Sequence, residues 1–299
     1  MYSVLVFLML CIIWGSTWLG IKMGLQDSPP ILSAGLRFLI ASGILYLFAQ
    51  IKGIAFKKSR EKFKHIFLPG FLYFLSYAFI YWGEQYISSG LMAILFSTLP
   101  FFVALFAFFL LKNENLGFWR IFGLILGFLG IVIIFSENLH SGLPKNSLGM
   151  LAATGSSICS ALSTVLIKKN LKEVDAVVAA TLQMAIGTVF LLITGFTLER
   201  LSDFKITFNS IGALLYLAIF GSAIAFSSYY WLLKKMEATK ISVIAFITPM
   251  VAVFLGWLIL DEKINWYVAI GTIFVLAGIG FVNYGDRFLK NAMAKLRFD

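Results

Sequence analysis

The sequence predicts an all-α polytopic membrane protein: ten transmembrane helices arranged as two inverted five-helix repeats, with both termini cytoplasmic. Three observations predict it. Of 299 residues, 60% are hydrophobic and 13% charged, with a mean hydropathy of +0.93. A soluble domain carries roughly 45–50% apolar and about 25% charged residues, so this excess cannot be hidden in one water-facing fold. Apolar runs of about 20 residues, long enough to cross a hydrocarbon layer of roughly 30 Å, recur along the chain. Finally, sequence features recur at a separation near 147. Continuous runs, in place of short alternating segments, exclude a transmembrane β-barrel.

The first span, 3–23, lacks a basic leading segment and a small-residue cleavage site, so it reads as a retained helix and not a signal peptide. Spans 31–49, 66–86, 89–111 and 118–136 follow, bounded by charged or Gly/Pro-marked breaks. The second half repeats the order at 147–167, 175–195, 211–233, 241–260 and 266–285. Only the connections 50–65 and 197–210 are long, and no soluble domain fits between spans. Eighteen of the 24 Lys and Arg fall on the side of the N-terminus, five on the other, and Arg37 lies within a span. The positive-inside rule therefore puts both termini in the cytoplasm. The run "KKSREKFKH" reads as a topology anchor, with no nucleic acid implied. Cys11 and Cys159 both lie in spans, so no disulfide framework is expected.

The internal repeat is specific. Tyr81-Trp82 matches Tyr230-Trp231 and Pro100 matches Pro249, each 149 apart, while Glu114 matches Glu262, Gly123 matches Gly271 and Gly130 matches Gly278, each 148 apart. Arg37 in "LRFLI" matches Gln183 in "LQMAI". The repeats are taken as 1–145 and 146–299. Five spans is an odd number, so the second copy enters the membrane inverted. Inverted repeats are the mark of alternating-access carriers, whose binding site lies near the midplane between the halves.

"WGSTWLGIK" near the N-terminus resembles the opening of drug/metabolite transporter superfamily members. So do the paired blocks "ISSGLMAILFSTLPFFVALFAFFLLKNENL" and "MEATKISVIAFITPMVAVFLGWLILDEKI" with the glycine-bearing helix after each. The similarity is to the ten-helix EamA-type branch and covers essentially the whole chain. The first repeat departs at "LLKNENL", where the second has the more typical "LILDEKI", which touches the local role of Glu114. The resemblance implies a carrier in the cell membrane, commonly an exporter of amino acids or other small metabolites, with a central cavity. It needs no cofactor, and a monomer or homodimer is expected.

Candidate cavity residues follow from cost: an ionisable or polar group within a span needs a reason. Arg37 could hold a solute carboxylate or phosphate through its planar fork, pair with Glu84, bond a helix-end carbonyl, or snorkel outward. Gln183 is its neutral counterpart or an interhelical hydrogen bond. Trp14, Trp18 and Lys22, spaced by four, form a stripe with Thr17 beside it, a cavity wall with Lys22 as a gate or surface charge. Tyr77 and Tyr81 share a face, and Tyr230 is repeat-matched to Tyr81. Pro100 and Pro249 would kink the fourth and ninth helices and free backbone carbonyls, with Ser97, Thr98 and Thr248 adding hydroxyls. Glu84 is the acidic residue placed for proton coupling.

Other activities find less support. No phosphate-binding loop occurs, the two histidines His65 and His140 lie in loops, and neither HExxH nor GxSxG is present, so no ATPase or intramembrane enzyme is expected. The competing readings are an exporter of aromatic or amphipathic compounds and a non-transporting scaffold or receptor.

Overall fold

A computed structural model describes residues 2–56, 62–111, 117–141, 144–171, 173–235 and 244–295. Among them the chain is helical with no strand. The first half comprises α1 (Tyr2–Gly24), α2 (Pro30–Ile51), α3 (Phe63–Gly83), α4 (Ser89–Phe96) with α5 (Leu99–Leu110), and α6 (Phe118–Ser141). The second comprises α7 (Pro144–Asn170), α8 (Ala176–Leu198), α9 (Phe208–Ala218) with α10 (Ala225–Lys235), α11 (Ile244–Leu260) and α12 (Trp266–Lys295). Nine of the described segments are long and apolar enough to cross a membrane, α4–α5 and α9–α10 each counting once, and α11 supplies a shorter apolar tenth. The expected spans are present, each end within a few residues of expectation except for longer runs at α6 and α12.

Two spans are not simple helices. The fourth breaks at Ser97–Thr98, and Pro100 sits in the first turn of α5, where its missing N–H leaves no partner unsatisfied. Pro249 behaves differently: α11 runs unbroken through it. The two repeat-matched prolines thus stand in different settings, one in the first turn after a break and one inside a continuous helical run. In the eighth span, a π-helical stretch, Ile219–Ile224, separates α9 from α10. Such wide turns insert one residue into the ladder and redirect the side chains that follow.

Contacts follow an exchange of halves. The first span packs on the eighth and the sixth on the third; the first also packs on the ninth, and the sixth on the fourth. The second and seventh pair with each other, as do the fifth and tenth. These pairs are antiparallel. A Cβ on Gly123 would lie 2.6 Å from the Gly278 carbonyl, and one on Gly130 would lie 2.6 Å from that of Gly271. Along α2 and α8, likewise, Gly35 meets Leu192 while Gly195 meets Leu32. Lipid offers no hydrophobic drive between helices, so such glycine contacts, which bring backbones close, supply the packing. Side chains on the far faces, such as Ile125, Val132 and Trp266, are exposed to the surroundings.

Candidate functional site

The centre of the bundle is built around one cation. Arg37 stands on the inner face of α2 and is 3% exposed, so it does not snorkel. Its Nε donates to Ser222 Oγ at 3.2 Å and its Nη1 to the Tyr81 hydroxyl at 3.4 Å. The guanidinium carbon lies 4.8 Å from the Phe38 ring centre and 5.5 Å from that of Tyr77. Ring faces attract a cation. None of these partners carries a formal charge, and among the described residues no carboxylate lies within ion-pairing distance of Arg37. A charge removed from water normally demands a paired counter-charge.

The π-helical stretch places the acceptor. Ser222 Oγ donates to the Leu217 carbonyl at 3.0 Å, five residues back, which leaves its lone pairs facing Arg37 Nε. Gly221 beside it has no side chain for a reason. A Cβ there would stand 2.7 Å from Thr17 Cγ2 and 3.5 Å from Arg37 Nη2. The eighth span thus comes close to both α1 and α2 at Gly221. Sequence reasoning missed Ser222; its only signal was a Gly-Ser pair inside an apolar run.

The α1 stripe faces protein along its length. Trp14 meets Phe226 and Tyr229 of α10 with ring centres 5.8 and 5.3 Å apart, and Trp18 lies 5.2 Å from Phe96 at the break in the fourth span. Thr17 is buried, its hydroxyl donating to the Trp14 carbonyl. Lys22, one turn further, donates from Nζ to the backbone carbonyls of Glu84 and Ile87. Tyr77 and Tyr81 converge on Arg37 as their spacing predicts.

Other candidates are engaged elsewhere. Gln183 Nε2 donates to Ser163 Oγ at 2.8 Å, and that hydroxyl donates to the Pro69 carbonyl at 2.9 Å, so Gln183 acts as an interhelical hydrogen bond. The Ser97 and Thr98 hydroxyls return to the carbonyls of Ile94 and Leu95, with Thr98 also 3.1 Å from Ser157 Oγ. Thr248 presents its carbonyl toward Gly15 of α1, where a Cβ would come within 3.1 Å. The Tyr230 side chain and Glu114 lie outside the described residues.

One end of the bundle, the Glu84 end, carries a polar layer that links the halves. Asp261, just past α11, takes a left-handed φ of 53°, a conformation open to Asp at modest cost. That bend aims Glu262 at the start of α4, where it accepts from the Ser89 N–H and hydroxyl at 2.7 and 2.9 Å and from the Gly90 N–H at 3.1 Å. Glu199 accepts from the Ile31 and Leu32 N–H groups at the start of α2, both at 2.8 Å. Carboxylates at helix N-termini satisfy orphan donors and the helix dipole together. Thr207 adds a hydrogen bond to Asp27 at 2.7 Å. Beneath this layer Glu84 is fully buried, and neither of its carboxylate oxygens has a hydrogen-bond partner among the described residues. A cavity of about 190 Å³ at this end is lined by Tyr86, Leu91, Asn146, Met150, Glu262 and Asn265. Arg37 is not among its walls.

The chain matches the EamA-like transporter family twice, over residues 1–136 and 147–284. It is 28% identical to the uncharacterized transporter YoaV of Bacillus subtilis over 273 residues, 91% of this chain and 93% of that one. It is 30% identical to the uncharacterized transporter YvbV of the same organism over 284 residues, 95% and 92% of the two chains. With the uncharacterized inner membrane transporter YedA of Escherichia coli it shares 30% identity over 269 residues, 88% and 85%. A solved crystal structure superposes with a TM-score of 0.70 at 17% identity, covering 96% of this chain and 99% of the other, a likeness of fold. Two matched halves, ten apolar helices and full-length relatives agree: the protein is a multi-pass membrane transporter and belongs to the EamA-like transporter family.

Proposed function

We propose that this carrier moves amino acids or related zwitterionic or anionic solutes by alternating access around a cavity between repeats 1–145 and 146–299. One observation carries the reading. Arg37 is a buried guanidinium held by two neutral hydroxyls and two ring faces, with no carboxylate paired to it among the described residues. A solute carboxylate supplies the missing counter-charge, and the planar fork suits bidentate binding. Trp14, Thr17, Trp18, Tyr77 and Tyr81 then form walls with apolar bodies and hydroxyl handles. The excess of Lys and Arg on the N-terminal side supports cytoplasmic termini in the cell membrane, which turns the Glu84 end outward.

The rings of Trp14, Phe226 and Tyr229, in contact on α1 and α10, favour a second reading, an aromatic or amphipathic solute. Counterflow in proteoliposomes loaded from a panel of amino acids and aromatic amphiphiles tests both. Carboxylate-bearing solutes are expected to exchange, and Arg37→Gln is expected to weaken them selectively. Exchange that ignores the Arg37 charge overturns the carboxylate role. A protein that exchanges nothing in the panel would favour a scaffold or receptor.

A further inference from the structure

Glu84 lies in the turn between α3 and α4, 0% exposed, with both oxygens unpartnered among the described residues. An isolated carboxylate out of water is costly as an anion, and a proton removes that cost. The charged groups that face it are Lys22 from α1, Glu262 from the α11–α12 connection and Arg37 from α2, with Tyr81 on its own helix. Two of these are committed elsewhere. Lys22 Nζ donates to the carbonyls of Glu84 and Ile87, and Glu262 accepts from the start of α4. Tyr81 stands one turn before Glu84, with Arg37 donating to its hydroxyl.

We infer that Glu84 is a proton-binding site linked to the solute at Arg37, so that a carboxylate solute and a proton bind together and travel in the same direction. The inference rests on the carboxylate reading of Arg37. An empty Arg37 favours an ionised Glu84. A carboxylate seated on the guanidinium cancels that charge and brings a negative one close, so Glu84 takes a proton from water as the solute enters. It returns the proton to water when the solute leaves. By linkage the effect is mutual: the proton strengthens solute binding by the same factor. Neither Lys22 nor Glu262 leaves its hydrogen bonds for this exchange. An inward proton gradient then drives uptake, while export runs down the solute's own gradient and carries protons out.

The test has two readouts on purified full-length protein. In solute-free wild type, acidifying from an alkaline medium is expected to bring up a protonated-carboxyl infrared band that Glu84→Gln lacks. Its absence from wild type overturns the proton site, however the variant folds. A pH-matched mixture of the twenty amino acids, added to weakly buffered protein with a pH dye, is expected to cause proton uptake. Amino-acid affinity is expected to tighten by roughly 5- to 150-fold from alkaline to acidic medium, the usual range of coupling. Proton release, no proton movement despite counterflow of the same mixture, or a requirement of counterflow for sodium overturns the inference. Failure of counterflow itself sinks the carboxylate reading and leaves the infrared band to decide on the proton.

Discussion

The two halves supply similar helices to the bundle and fill equivalent positions with different chemistry. Ser16 on the first span and Ser163 on the sixth are 147 apart, and so are their partners, Tyr216 and Pro69. At that level the halves agree: a small hydroxyl on one span bonds across to its neighbour. One helix over they diverge. Arg37 in the first half meets hydroxyls and rings with no paired acid among the described residues, whereas Gln183 in the second is absorbed by Ser163. Pro100 marks a broken span and Pro249 a continuous one. The symmetry of this protein belongs to its packing.

The comparison can be broken hardest at the packing. Gly278→Val puts a side chain where a Cβ alone stands 2.6 Å from the Gly123 carbonyl and 2.7 Å from the Gly127 nitrogen. Backbone cannot yield as a side chain does, so a loss of about 3 kcal/mol or more is expected. Thermal unfolding in detergent measures it, and a near-unchanged midpoint would mean that the α6–α12 seam is not the support described.

Charge comes next. Arg37→Gln makes the first half resemble the second, and removing a charged hydrogen-bonding partner costs about 1.5–3 kcal/mol. That is roughly a 10- to 100-fold loss of affinity for carboxylate solutes. Competition for counterflow reads it. Equal losses for a carboxylate and its amide analogue would sink the assignment.

Smaller effects separate positioning from support. Glu262→Ala removes the carboxylate that accepts from Ser89 and Gly90 at the start of α4, where the Ser88 hydroxyl still accepts from the Leu91 N–H, and is expected to cost about 0.5–2 kcal/mol of stability. It also loosens the Glu84 end, so faster labelling of a cysteine introduced at Ser88 is expected. Ser222→Ala removes one acceptor from Arg37, worth about 0.5–1.5 kcal/mol, and should weaken carboxylate solutes more than their amides. Gln183→Leu is the mildest for transport: it lowers stability by about 1 kcal/mol while leaving solute preference unchanged. A change of preference there would restore Gln183 to the cavity.

Much of this was readable in one dimension. Span number and length follow from the thickness of a hydrocarbon layer, which imposes apolar runs wherever they fall in the fold. The convergence of Tyr77 and Tyr81 on one partner follows from helical periodicity, and the depth of Arg37 follows from its distance into α2. Glu84 was less legible. Near a helix end it reads equally as a solvated charge, and only its complete burial in the folded chain shows that water is kept from it.

The sequence by itself determined a ten-helix membrane carrier with a duplicated plan, because hydropathy, charge asymmetry and repeats are properties of local stretches and their spacing. Only the tertiary structure decided which polar groups meet. Ser222 reaches Arg37 across 185 residues of chain, through one π-helical turn and a glycine that lets α1 close in. Glu262 reaches Ser89 across 173, through one left-handed residue. Such meetings depend on how helices cross and on single backbone turns that leave almost no trace in composition or period. The same physics explains why Arg37 was ambiguous until its neighbours were known: in a span, a buried charge is defined by what surrounds it.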